Sequence, residues 1–229
     1  MIEERHRSLR WRARLTPGAA PFWWRGPAVT QNAMALTFDD GPDRTGTPAV
    51  LDTLARFRAA ATFFCLAERV DRAPGLLREL VAAGHEVGLH ADRHERMDRL
   101  PVSTLRARLS AARAELEDAA GVAIRFHRPP FGRLSWRGLI AARQAGLEVV
   151  MWSHDPRDWD ERRDLTDRLA DAISRCLRPG AIVLLHDGGE WTSSSQGAAT
   201  AHALSEALSR PGGHPSAVTV GALVADPIR

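Results

Sequence analysis

From residue 33 onward the chain alternates short apolar runs with longer amphipathic stretches. The runs 33–38 (Ala-Met-Ala-Leu-Thr-Phe), 61–66, 86–89, 122–126, 147–152 and 181–185 read as strands, with a short Val218-Thr219-Val220 near the end. Between them, 47–59, 74–83, 102–119, 135–145, 164–177 and 198–209 read as helices. The stretch 102–119 is the clearest, with Leu105, Leu109, Ala112 and Leu116 on one face and Arg and Glu opposite. Gly84, Gly121, Gly146 and Gly180 each follow a helical stretch, where a left-handed cap is wanted. Repeated strand–helix alternation predicts an α/β fold with a parallel sheet. Six or seven strands suit an open sheet or a barrel equally, and periodicity does not choose. Residues 1–32 stand apart as an arm, Arg-rich at first, then carrying Pro17-Gly18 and Pro21-Phe22-Trp23-Trp24. Residues 33–229 form the folded domain.

Composition narrows the function classes. With 229 residues, 44% of them hydrophobic and 26% charged, the chain is neither disordered nor collagen-like. No apolar run approaches the ~20 residues of a membrane-spanning helix. Every basic residue is Arg, and Lys and Tyr are absent. A formal charge of only +3 therefore coexists with a pI of 9.9, because Arg stays protonated past about pH 12. Residues 1–14 hold five Arg against two Glu, which is the entire surplus, and the rest of the chain is neutral. A nucleic-acid binder concentrates its basic residues on the folded face, so no nucleic-acid partner is expected. The aromatic cluster of the arm is expected to pack on the domain; peripheral contact of a basic, Trp-containing arm with an anionic membrane is the alternative. Cys65, inside an apolar run, reads as a buried free thiol, and nothing requires a disulfide with Cys176. No apolar stretch of secretory-signal type follows the basic start, so a cytoplasmic location is the default expectation, and a chain beginning further upstream would allow a secreted one.

The unusual polar residues fall at strand ends. Strand 33–38 ends in Asp39-Asp40-Gly41-Pro42, and strand 86–89 in His90, with His94 four residues on. The segment after 122–126 leads to Arg128-Pro129-Pro130-Phe131-Gly132. Strand 147–152 leads to Asp155-Pro156-Arg157-Asp158-Trp159, and strand 181–185 to His186-Asp187-Gly188. In parallel α/β folds the C-terminal strand ends share one face, where reactive groups converge. Each piece alone has an ordinary reading. Asp-Gly-Pro is turn chemistry; a His-x-x-x-His pair can be a solvated pair; His186 can be a satisfied core histidine; Arg128 can form a surface salt bridge; Trp159 can be core or a sugar-stacking wall. Together, two His and one carboxylate make a facial metal set with open positions, which suits hydrolysis. His186 then reads as a general acid.

These segments resemble, in order, the five motifs of the polysaccharide deacetylases, the family-four carbohydrate esterases with a NodB-like domain. They are Thr37-Phe38-Asp39-Asp40-Gly41, His90-x-x-x-His94, Arg128-Pro129-Pro130-Phe131-Gly132, Asp155-Pro156-Arg157-Asp158-Trp159 and Leu184-Leu185-His186. The resemblance covers about residues 33–224 and implies a distorted (β/α) barrel with a groove at the strand C-terminal face. It implies Asp39 as general base, with Asp40, His90 and His94 as ligands of a divalent metal: zinc first, cobalt, nickel or manganese as alternatives. Arg128 would hold Asp39, and Asp155 would pair with the general acid His186. The backbone N–H of Phe131 would stabilise the oxyanion, while Leu184 and Trp159 would form the pocket for the acetyl methyl. Ala91 stands where the family usually has Ser or Thr, Leu89 where Asn is common, and Phe131 where Tyr is common; the first of these removes a loop hydrogen bond. The implied reaction is removal of N-linked acetyl groups from an N-acetylated oligo- or polysaccharide. A small biosynthetic amino-sugar or natural-product substrate, O-deacetylation of acetylxylan, and an inactive glycan-binding module are the alternatives.

Overall fold

The computed structural model describes residues 22–27, 32–73, 75–160, 166–189 and 196–225. Seven strands are present: β1 (Ala33–Asp39), β2 (Ala61–Leu66), β3 (Glu86–Ala91), β4 (Phe126–His127), β5 (Glu148–Val149), β6 (Ile182–His186) and β7 (Ser216–Val218). The helices are α1 (Gly46–Arg56), α2 (Leu76–Ala82), α3 (Val102–Ala120), α4 (Trp136–Gln144), α5 (Thr166–Cys176), α6 (Gln196–Leu208) and α7 (Val220–Val224). All strand pairs are parallel, in the order β5-β4-β3-β2-β1-β6, with β7 beside the start of β1.

The sheet curls into a distorted (β/α) barrel. Beyond β5 the chain reaches β6 from the other side: His154 bridges Val183, and Leu184 N–H donates to the His154 carbonyl at 2.9 Å. Strand alternation then sorts side chains into two sets. Met34, Leu36, Phe38, Phe63, Cys65, Val183 and Leu185 belong to the large core shared with the surrounding helices. Ala35, Phe64, Phe126, Val150 and Ile182 form a smaller inner cluster, closed off by Val220, Leu223 and Val224 of α7. Polar ties secure that end: Thr62 donates to Glu86 Oε2 at 2.7 Å, and the Gly221 N–H to the same oxygen at 3.0 Å.

The same period of two carries Asp39, His90, Arg128 and His186 onto the inner face above Ala35, Gly88, Phe126 and Ile182. Register places Asp39 opposite His186 across β1 and β6. The barrel is thus apolar at one end and polar at the other.

Three elements differ from the sequence pattern. Of the runs 122–126 and 147–152, only 126–127 and 148–149 pair as strands; 147–152 is largely buried, whereas Val122, Ala123 and Arg125 are exposed. Val150 instead bridges Trp23, whose N–H donates to Val149 O at 2.8 Å. The last run pairs as 216–218, and Val220 opens a helix capped by the Thr219 hydroxyl, which accepts from the Ala222 N–H at 3.1 Å. Both cysteines are buried free thiols. Phe22 is buried and Trp24 packs against the core, so this aromatic part of the arm lies on the domain; residues 1–21 are outside the described ones. No described helix is long and apolar enough to cross a membrane.

Candidate active site

A cavity of about 280 Å³ opens at the polar end of the barrel. Asp39, Asp40, His90, His94, Phe131, Asp155, Trp159, Leu184 and His186 line it, joined by Trp152 and the backbone of Gly132, Gly188 and Gly189. Nine of the ten expected site residues therefore share one chamber, and the tenth, Arg128, sits directly beneath it.

Arg128 is fully buried between the Phe64 ring, 4.1 Å from its guanidinium carbon, and the Trp152 ring at 5.6 Å. Its Nη1 donates to Asp39 Oδ1 at 2.8 Å and to the Thr37 hydroxyl at 2.7 Å. Nε and Nη2 donate to the carbonyls of Val150, at 3.3 Å, and Met151, at 3.1 Å. Burial lowers the Arg128 pKa and the Asp39 charge opposes that shift. So fixed, Asp39 presents a carboxylate whose Oδ2 has no hydrogen bond among the described residues.

Asp40 would point away from Asp39 in a regular strand. Its backbone instead takes a left-handed φ of 73°, a conformation that Asp tolerates better than most residues. Its Oδ1 comes to lie 3.2 Å from His90 Nε2 and 3.4 Å from His94 Nε2. Burial alone would raise the Asp40 pKa, but His90, with His186 and His94, holds this carboxyl well below the usual range. Burial keeps His94 below its ordinary value.

The three residues fit a cation. Their ligand atoms all lie within 4.8 Å of one another. Asp40 Oδ1 is buried without a hydrogen bond, so its short approaches to both imidazoles are those of groups facing a common point. Ligands on a tetrahedral ion with bonds of ~2.0–2.1 Å are separated by roughly 3.3–3.4 Å, close to the spacings seen here.

On the facing strand His186 is held by an acid, but not the expected one. Asp155 does not pair with it: the Asp155 carboxyl accepts the Arg157 N–H at 2.7 Å and closes a local turn. Asp158 is the partner. Its Oδ1 lies 2.8 Å from His186 Nδ1, and its Oδ2 accepts the His186 backbone N–H at 2.8 Å and the Thr200 hydroxyl at 3.0 Å. Burial alone would lower the His186 pKa, but the Asp158 charge and hydrogen bond, with Asp40 and Asp39 behind them, raise it to about 10. Asp155 lies on the cavity wall, its pKa raised by burial. The signal for Asp158 was in the sequence, since the fourth motif holds two acids.

Asp187, the next residue, is buried and raised to about 7, chiefly by burial. It accepts the Thr47 hydroxyl and fills the space beside Gly41, where a Cβ would come within 2.4 Å of its carboxylate. Phe131, at a left-handed φ of 57°, packs its ring 4.3 Å from that of His94 and stays 44% exposed; Trp159 is 37% exposed and Leu184 is buried.

Comparison with known proteins agrees with this geometry. Residues 26–150 match the family model described as polysaccharide deacetylase. The chain is 40% identical over 164 residues to a chitooligosaccharide deacetylase of Bradyrhizobium sp. (strain ANU 289), covering 71% of this chain and 74% of that one. It is 36% identical over 168 residues to a peptidoglycan-N-acetylglucosamine deacetylase of Bacillus cereus, covering 72% and 77%. Among solved structures, a peptidoglycan N-acetylglucosamine deacetylase in complex with 4-naphthalen-1-yl-N-oxidanyl-benzamide superposes with a TM-score of 0.75 at 28% identity, covering 89% of this chain and 92% of that one. The chain belongs to the polysaccharide deacetylase family, carbohydrate esterase family 4. It is a deacetylase, a hydrolase acting on carbon–nitrogen bonds.

Proposed function

We propose that the substrate is an oligosaccharide of N-acetylated amino sugars, with Asp39 as general base, His186 as general acid and a divalent cation, zinc first, held by Asp40, His90 and His94. The observation that carries this reading is the convergence of those five side chains on one cavity. When bound, the cation supplies a lowered water pKa, from 15.7 towards about 7, and polarisation of the acetamide carbonyl.

The chain's own groups do the rest. Asp39, oriented by Arg128 on one oxygen, takes a proton from the attacking water on the other. The backbone N–H of Phe131 is assigned to the oxyanion. His186, kept protonated by Asp158, gives its proton to the amide nitrogen as the C–N bond breaks. Acetate and a free amine leave. Leu184 and Trp159 accommodate the acetyl methyl. A cavity of about 280 Å³ suits an acetamido group with little beyond one sugar ring, so further rings would lie outside, against the exposed faces of Phe131 and Trp159.

The test is an acetate-release screen over chitooligosaccharides, peptidoglycan fragments, acetylxylan and small N-acetyl amino sugars. Turnover is expected on the N-acetylated oligosaccharides, lost on chelation and restored by divalent metal. Asp39→Asn, whose amide oxygen still accepts from Arg128, is expected to lower kcat by about 10²–10⁴-fold while melting near the wild type. Full turnover in that folded variant refutes the mechanism, and acetate from acetylxylan alone refutes the substrate class.

A further inference from the structure

Metal-binding histidines ordinarily donate their second ring N–H to a carboxylate or carbonyl, which fixes the ring. Here the Nδ1 atoms of both His90 and His94 are buried without a partner. His90 is held within β3, between Leu89, which pairs with Cys65 and His127, and Ala91, which pairs with Leu66. His94 lies beyond the strand, in the turn that follows Ala91, and Ala91 offers no side-chain hydroxyl to brace it.

That turn is gripped from outside the cavity. Glu68, in the short 3-10 turn after β2, accepts the His94 backbone N–H on Oε1 at 3.3 Å. The Glu68 N–H donates to Asp92 O at 3.0 Å. From α3, Arg108 takes both oxygens of Asp92 in a fork, Nε to Oδ2 at 2.7 Å and Nη2 to Oδ1 at 2.9 Å, and reaches Glu95 at 3.3 Å. A planar guanidinium on a carboxylate fixes direction as well as distance. The tethers bear on positions 92, 94 and 95, and none of Glu68, Asp92 or Arg108 lines the cavity.

We infer that Glu68 and Arg108 are positioning residues that set metal affinity by holding the backbone of the His94 turn, in place of the missing ring hydrogen bond. The inference rests on Asp40, His90 and His94 being the metal ligands. Supporting contacts of this kind are typically worth 10–100-fold in affinity.

The experiment titrates Zn²⁺ and Co²⁺ into the metal-free full chain, by calorimetry and by competition with a chromophoric chelator, for the wild type, Arg108→Met, Glu68→Ala, Glu68→Gln and His94→Ala. Thermal melts of each metal-free protein run alongside. Arg108→Met and Glu68→Ala are expected to bind metal about 10-fold or more weakly. Glu68→Gln, whose carbonyl still accepts from the His94 N–H, is expected to recover most of the loss. Wild-type affinity in folded Arg108→Met and Glu68→Ala, with binding lost in His94→Ala, overturns the inference and leaves the metal site standing. Unchanged binding in His94→Ala overturns the ligand set itself. Equal losses in Glu68→Ala and Glu68→Gln also count against the inference, because a lost negative charge would then explain both.

Discussion

At the scale of single residues, charge organises the site. His186 is a partly buried histidine beside one paired acid, with two more acids across the cavity, and that field raises its pKa to about 10. A raised histidine contributes stability that is complete below its unfolded value of 6.5 and is lost as pH rises through the folded value. The same ordering keeps His186, the proposed general acid, protonated across neutral pH. Asp158→Asn preserves an oxygen for the ring N–H and removes the charge. It is expected to move the alkaline limb of the kcat profile to lower pH by about a unit or more and to reduce kcat by about 10-fold or more. Asp155→Asn should move that limb less, because the Asp155 carboxyl is engaged by the Arg157 N–H. Rate–pH profiles of the two variants decide it, and a larger shift in Asp155→Asn would return the pairing to the acid expected from sequence.

At the scale of elements, what sequence could and could not announce follows from how local each feature is. β1, β2, β3 and β6 are apolar runs covered on both faces, and all but β2 run out into acid or His, so pattern located the strands and the candidate metal ligands together. β4 and β5 are shorter than the runs that predict them: Val122 and Ala123 are exposed residues ahead of β4, and beyond β5 the carbonyls of Val150 and Met151 go to Arg128 instead of a ladder. The choice between Asp155 and Asp158 was illegible for a related reason. It turns on Arg157, whose φ of 61° reverses the chain between the two acids, and Arg is not a residue that signals this conformation. Glu68 and Arg108 carried no signal, since they act through a backbone bond and through an ordinary surface pair.

Strand geometry also accounts for a glycine. Gly88 lies in β3, two residues before His90, and an added Cβ would stand 2.7 Å from the Phe64 ring, with the Phe126 carbonyl 3.4 Å away. That ring is itself pressed against the Arg128 guanidinium. Gly88→Ala therefore has nowhere to send the strain except into His90 or Arg128. It is expected to cost about 1–3 kcal/mol in a denaturant melt and to weaken metal binding in the calorimetric titration. A variant as stable as the wild type would show that this side of the barrel is loosely packed.

At the scale of the whole molecule, the site depends on a segment far from it in sequence. Trp23 donates its N–H to Val149 O at 2.8 Å, accepts the Met151 N–H on its carbonyl at 2.6 Å, and ties its indole to Glu148 at 2.7 Å. Phe22 is buried beside it. This short stretch acts as one more strand on β5 and fixes the backbone whose next two carbonyls hold Arg128, and through Arg128 the proposed base Asp39. Trp23→Ala is expected to lower stability by about 1–3 kcal/mol and to reduce kcat several-fold at saturating metal. Deletion of residues 1–14 should change neither. Calorimetric melts with acetate-release kinetics on both variants separate the possibilities. A stability loss with wild-type kcat would make Phe22–Trp24 an edge cover alone, whereas a parallel fall in both places the aromatic segment in the chain of contacts that aims Asp39, the proposed base.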